Sequence, residues 1–240
     1  MNVYSNSFFH RTRIYDSIKN ILEDGFKVFY CLEDFITDKG FDSIAIPMIS
    51  FSDIPLAYIR NGRYGKNGLL MKRSWGTNKK LVPVWYYSNN TEAPSTKIIM
   101  NAGESFKKGN DVKTFSILGF SKPVRKINNE EEKNKDNYVE REWRKVYANV
   151  TKTQWMNLEK YKEYRGPKYT PKKPIKDISL KFTIDDIDFI VIEKKYFNDL
   201  VDFIMKNLKC VGGNKTELSA ENKYKLLTKI VKYEDLAHNI

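Results

Sequence analysis

Apolar side chains recur along the 240-residue chain in two periods, one near 3.6 and one of two, and the switches between them outline the elements. Ser5 to His10 reads as a strand ended by His10. Ile14, Ile18, Ile21 and Leu22 follow at helical spacing. They predict an amphipathic helix that starts between Thr12 and Asp16 and stops at Gly25, where a left-handed C-cap residue fits. Tyr30 to Asp42 keeps neither period and reads as irregular. Ile44 to Phe51 is apolar almost throughout, as a buried strand is, although Pro47 within it predicts an edge position or a bulge. Asp53 as N-cap with Pro55 in the first turn predicts a short helix through Arg60, stopped by Asn61-Gly62.

Arg63 to Gly68 is a glycine-bearing loop leading into Leu69-Leu70-Met71, Ser74-Trp75-Gly76 a helical turn, and Leu81 to Tyr87 another strand. Residues 89–137 carry the weakest pattern: Val112 to Phe120 is apolar enough to pack, whereas the polar excursion near 126–137 reads as a mobile surface loop. Alternation returns between Tyr138 and Tyr147 and predicts a strand over Glu140–Tyr147. On such a strand Glu140 and Glu142 project from one face, about 7 Å apart. Thr153 to Tyr164 reads as a helix, and the Pro-containing stretch near 166–176 as a basic connector. Ile178–Phe182 and Ile187–Ile192 read as strands. Lys194 to Leu208 reads as a helix with Phe197, Leu200, Val201, Ile204 and Leu208 on one face, broken by Gly212-Gly213 and followed by a helical stretch and tail over Leu218–Ile240. There is no internal repeat and nothing demands a second independent domain. The expectation is one α+β domain whose mixed sheet contains Ser5–His10, Ile44–Phe51, Leu81–Tyr87, Glu140–Tyr147 and Ile187–Ile192, flanked by helices.

Composition changes this picture in three ways. A hydrophobic content of 41% with 14% aromatics supports a packed interior and argues against wholesale disorder. The formal charge of +12, concentrated at Lys72-Arg73, Lys79-Lys80 and Lys168 to Lys176, biases the surface toward a nucleotide, a nucleic acid or an acidic partner. No apolar run approaches the roughly 18–20 residues that cross a bilayer, and Met1 to Asn6 has no signal layout, so a cytoplasmic protein without a membrane partner is expected. Cys31 and Cys210 are isolated, which argues against a disulfide framework and a zinc knuckle. His10 and His238 are the two histidines, which excludes a metal centre of three or more of them. Neither a P-loop nor a Rossmann glycine pattern is present, and no metal is expected.

Several short motifs occur together in order. They are Phe8-Phe9-His10-Arg11-Thr12, Ile21-Leu22-Glu23-Asp24-Gly25-Phe26, Tyr30-Cys31-Leu32-Glu33-Asp34, Ala45-Ile46-Pro47-Met48, Phe51-Ser52-Asp53-Ile54-Pro55-Leu56, Tyr64-Gly65 with Trp75-Gly76, and Glu140-Arg141-Glu142-Trp143-Arg144. The ordered set resembles the AbiGi family of bacterial abortive-infection proteins, over a span from Ser5 to the Leu226–Leu236 segment. Arg11 departs from the family's commoner aromatic, and Ser74 from its commoner acid. The resemblance implies membership of a two-gene phage-resistance system and an antitoxin-like role beside a cognate toxin or antitoxin protein, by binding protein or DNA.

The layout of strand, His10, amphipathic helix and glycine, then a mid-chain tyrosine, then a strand bearing Glu, is also similar to the ADP-ribosyltransferase superfamily, more distantly. That likeness implies an ADP-ribosyltransferase-like fold and NAD as co-substrate. A carboxylate would stabilise an oxocarbenium-like ribose. Carried over, Glu142 takes the NAD role and Glu140 orients the acceptor, His10 with Thr12 holds ribose or adenosine hydroxyls, and Tyr64 stacks on nicotinamide, with Tyr58, Tyr86 and Tyr87 as rivals. The residue types alone leave alternatives open: Glu140 and Glu142 could pair with Arg141, Arg144 or Lys145, and His10 could be a core histidine held by backbone.

Overall fold

Alternation of Phe8 and His10 with Phe9 and Arg11 makes β1 (Ser7–Thr12) a strand with apolar side chains on both faces. The computed structural model describes residues 6–55, 65–109, 112–125, 136–147, 155–167 and 173–237. After β1 come α1 (Asp16–Asp24), β2 (Phe26–Lys27), β3 (Phe29–Thr37), β4 (Gly40–Ser52), β5 (Asn67–Lys72), α2 (Arg73–Asn78), β6 (Val82–Pro83) and β7 (Trp85–Tyr87). Then follow α3 (Pro94–Gly109), α4 (Val112–Gly119), β8 (Ser121–Pro123), β9 (Glu142–Val146), β10 (Met156–Asn157) and α5 (Leu158–Arg165). The chain continues through β11 (Ser179–Leu180), β12 (Ile187–Ile192), α6 (Phe197–Asp202), α7 (Ala220–Leu227), β13 (Ile230–Lys232) and α8 (Tyr233–Ala237). The protein is mixed α+β, as the pattern predicts. It divides into two compact units, one of Met1–Lys27, Ser50–Leu81 and Asp177–Ile240, the other of Val28–Ile49 and Val82–Lys176.

In the first unit the strand order is β13-β12-β5-β1, antiparallel except for the parallel β12–β13 pair. One face of β1 meets an aromatic group, in which the His10, Phe26, Phe51, Trp75 and Phe182 rings touch edge-on or tilted. The other face places Phe9 with Leu70, Val191 and Tyr233. α1 buries Ile18, Ile21 and Leu22 as expected, but Ile14 lies before the helix and is exposed. Gly25 caps α1 with φ +78°, its N–H on the Ile21 carbonyl. Gly212 and Gly213 donate to the Leu22 and Glu23 carbonyls, so this glycine pair satisfies two further acceptors at the end of α1. The predicted Lys194–Leu208 helix is built in three pieces, a 3₁₀ turn, α6 and a π-helical turn, and buries Leu200, Ile204 and Leu208.

In the second unit β3 and β4 form an antiparallel hairpin closed at Thr37↔Gly40. The segment read as irregular is therefore half of the unit's longest strand pair. Pro47 is neither at an edge nor in a bulge: β3 flanks β4 on one side, and on the other the Pro47 carbonyl accepts from the Tyr147 N–H. Residues 94–119, read as soft, hold α3 and α4. Ile99, Ala102 and Phe106 of α3 pack with Phe35, Ile36, Ile44, Ile46, Met48, Tyr87 and Leu118. Gly103 permits that approach, because a Cβ there would lie 2.7 Å from the Phe35 ring. The predicted Leu81–Tyr87 strand breaks at Val84, with β6 pairing with β9 and β7 running parallel to β8. The helix read through Arg60, most of the 126–137 loop and the centre of the 166–176 connector lie outside the described residues.

Candidate functional site

The Glu pair does not sit on one continuous strand. Asn137 is buried, its side chain donating to the Pro123 carbonyl and its N–H to that of Val124, which fixes the start of the turn that follows. Tyr138–Glu140 then makes a 3₁₀ turn, Arg141 adopts a left-handed φ of 43°, and only from Glu142 does the chain run as β9. The turn and the strand nevertheless bring the two carboxylates to one cation. Lys122 Nζ lies 2.9 Å from Glu140 Oε2 and 3.0 Å from Glu142 Oε2. The alternation of Val139, Arg141 and Trp143 is a property of the residue types and not of an extended backbone there.

Arg144, two residues along β9 from Glu142 and fully buried, completes the group. Its Nε and Nη2 bind Glu142 side-on at 2.7 and 3.0 Å, Nη2 also reaches Glu33 Oε2 on β3 at 2.8 Å, and Nη1 donates to the Gly119 carbonyl at 2.9 Å. The Tyr86 hydroxyl accepts the Glu142 N–H at 2.9 Å. Glu33, Lys122, Glu140, Glu142 and Arg144 thus form one ion cluster within the second unit. A fork of guanidinium donors on a carboxylate is the strongest geometry available to such a pair, and the additional acceptors satisfy Arg144 where water is excluded.

Three carboxylates face two cations, and the electrostatics follow. Burial pushes the Glu33 carboxyl above its ordinary 4.5, against the lowering pull of Arg144 and Lys122. Burial alone would lower Lys122, but the Glu142, Glu33 and Glu140 charges outweigh it and hold the ammonium well above its usual value. Arg144 is raised in the same way. Burial also raises the Tyr86 hydroxyl, which stays protonated. With both cations fixed in their charged forms, the cluster can hold a shape and a charge balance. Both oxygens of Glu142 are committed within it.

His10 and Thr12 belong to the first unit, and Tyr64 lies outside the described residues. His10 Nδ1 donates to the Ser50 carbonyl at 2.9 Å, and the ring packs on Phe26 and Phe51. Desolvation by these neighbours lowers its pKa below 6.5, opposed by the Ser50 bond, so the ring is neutral at pH 7. Thr12 Oγ1 bonds the Ile14 N–H and carbonyl in a local turn. His10, Thr12, Glu140 and Glu142 therefore each have a hydrogen-bond partner in the protein itself. Of the rival tyrosines, Tyr86 is the one bonded at Glu142.

Sequence reasoning considered Arg144 only as a possible partner, and missed Lys122, Glu33 and the Tyr86 contact. Lys122 lies between buried Ser121 and Pro123, and the parallel register Tyr86↔Lys122 that aims it at the Glu pair is a long-range pairing with no local signature. Glu33-Asp34 inside an otherwise apolar run was the legible hint. Among the described residues, no group of three or more His, Cys, Asp or Glu is placed to hold a metal ion, and no helix is long and apolar enough to cross a membrane.

No curated protein and no solved structure matches the chain. A family model does, that of "Putative abortive phage resistance protein AbiGi, antitoxin", over residues 24–193. The matched span contains Glu33, Lys122, Glu140, Glu142 and Arg144; the Phe8–Thr12 motif and the Leu226–Leu236 segment of the resemblance fall outside it. The chain belongs to the AbiGi family of abortive phage resistance proteins.

Proposed function

We propose that this protein is the non-catalytic antitoxin or regulator of a two-gene abortive-infection system in the cytoplasm, and that it acts by binding its cognate toxin protein and not by consuming NAD. The observation that carries this reading is the closure of the Glu pair: Glu142 and Glu140 are bound by Lys122 and Arg144 within the unit. A carboxylate that stabilises a ribose cation must present an oxygen to it. The family's own description, as antitoxin, supports the same reading. The likeness to ADP-ribosyltransferases rests on the order of His10, Tyr64 and Glu142 in the sequence and is the second reading.

The experiment pairs two measurements on the purified protein and in cells. Nicotinamide release from NAD should stay at the no-enzyme rate, and co-expression with the neighbouring toxin gene should restore growth. NAD turnover that disappears in a folded Glu142→Gln variant, together with a failure to restore growth, would transfer the assignment to the ADP-ribosyltransferase reading.

A further inference from the structure

Four strands of the first unit reach one end of their sheet at the same level. Thr12 of β1 pairs with Asn67 of β5, Gly68 of β5 with Val191 of β12, and Ile192 of β12 with Lys232 of β13. Each strand brings a cation to that end: Arg11 and Arg13 around the end of β1, Lys66 just before β5, Lys194 and Lys195 just after β12, and Lys232 at the end of β13. Adjacent strands are spaced by about 4.8 Å, so the row spans about 14 Å. A nucleic-acid strand in a duplex advances about 3.4 Å per phosphate, so the row faces about four phosphates.

Acids accompany this row. Glu193 lies 4.0 Å from Lys66 and 3.5 Å from Lys195, whose side chains are 50% and 62% exposed. Pairs that long and that exposed are weak and easily exchanged for another anion. Glu234 accepts the Lys194 backbone N–H, and Asp16 and Asp235 flank the row at the starts of α1 and α8. The opposite end of the same sheet is different. There Lys225 pairs with Asp185 at 2.5 Å and Lys229 Nζ donates to the Ile187 carbonyl, with Asp188 alongside. At that end Lys225 and Lys229 are engaged from within, and Lys72 at the end of β5 stands near them.

We propose that the Arg11, Arg13, Lys66, Lys194, Lys195 and Lys232 end of the sheet is a binding surface for the phosphodiester backbone of a nucleic acid, read by charge and not by base sequence. An acidic protein would be the other polyanion. Protein interfaces centre on a buried apolar and aromatic patch, however, and among the described residues the large apolar side chain standing well exposed beside these cations is Ile14. Tyr196 and Tyr233 carry Lys195 and Lys66 over their rings, which aims the ammonium groups across the surface. This surface is separate from the ion cluster and does not rest on the toxin reading.

The test is fluorescence anisotropy of the full chain with a labelled 20-nucleotide single-stranded RNA and a 20-base-pair DNA duplex, both of mixed sequence, between 50 and 200 mM salt. A second probe is labelled polyglutamate. Binding to at least one nucleic acid should weaken with salt with a log–log slope of about −2 to −4, as release from a few phosphates requires. The Lys66→Gln, Lys194→Gln, Lys195→Gln triple variant changes exposed side chains and should melt as the parent does. It should lose at least tenfold in affinity and flatten the slope, while Lys72→Gln with Lys225→Gln at the opposite end should stay within about twofold. Unchanged binding by the triple variant, equal losses in both variants, or binding of polyglutamate with neither nucleic acid bound overturns the proposal.

Discussion

At the scale of single residues, the ion cluster makes the sharpest demands. Removing one partner of a buried pair leaves a charge without compensation, which costs about 3–5 kcal/mol. Arg144→Met would take the guanidinium away from Glu33 and Glu142, and should lower the stability of the second unit by about that amount in urea unfolding. Glu33→Gln keeps the shape and removes a carboxylate that burial disfavours while Glu142 still holds Arg144, so it should cost less than Arg144→Met. Equal losses in the two variants would show that Glu33 is as necessary to the cluster as Arg144. Glu142→Gln, often a silent change at an exposed site, should destabilise here, because its oxygens hold both cations.

His10 gives a pH signature of defined sign. Its folded pKa lies below the 6.5 of the unfolded chain, so the unfolded state binds the proton first. The stability tied to the neutral ring is complete above pH 6.5 and is lost as pH falls toward the folded value, by at most about 1.4 kcal/mol per pH unit. Glu33 acts oppositely: its folded pKa is raised above 4.5, so the stability its proton adds grows as pH falls through that raised value and is lost above it. Urea midpoints at pH 8, 6 and 5 should therefore fall less steeply in His10→Gln than in the parent. A parallel fall in both proteins would remove His10 as the titrating group.

At the scale of elements, Gly103 tests how closely α3 lies on the β3–β4 hairpin. A Cβ there would sit 2.7 Å from Phe35, so Gly103→Leu must move a ring in the core of the second unit and should cost about 1–3 kcal/mol in thermal or urea unfolding. A neutral substitution would mean that α3 packs loosely. This contact also shows where the sequence stopped being legible. β1, α1 with its Gly25 cap, β4 and β12 announce themselves, because period and capping residue agree. In α3 Ile98 is exposed while Ile99, Ala102 and Phe106 are buried, so few positions mark the inner face and the glycine that allows close packing reads as a breaker. β3 carries Glu33 and Asp34, which hide its strand period; Glu33 binds Arg144 and Asp34 accepts from Ser43. The ion cluster was half legible for the same reason. Glu140, Glu142 and Arg144 are local in sequence, whereas Lys122 and Glu33 arrive through strand pairings that no short motif encodes.

At the scale of the whole molecule, connectivity decides which pieces can stand alone. The chain passes between the two units after Lys27, Ile49, Leu81 and Lys176, so neither unit is a continuous fragment. The span that the family model matches, 24–193, begins after β1 and ends before α6, α7 and β13. Cutting there removes β1 from beside β5 and β13 from beside β12, and takes Phe8, Phe9, Leu200, Ile204 and Leu226 out of the first unit's core. The β5–β12 pair would be left with open edges and a core stripped on both faces, which a two-stranded remnant cannot stabilise. A 24–193 fragment should therefore lose the first unit, seen as rapid proteolysis within 65–81 and 177–193, while 28–49 and 82–176 retain every element of the second. Protection of both stretches equal to that of the full chain would show that β1 and the C-terminal elements are accessories. Rapid cleavage confined to them, with the Glu33–Arg144–Lys122 region still resistant, would place the stability of the ion cluster in the second unit alone.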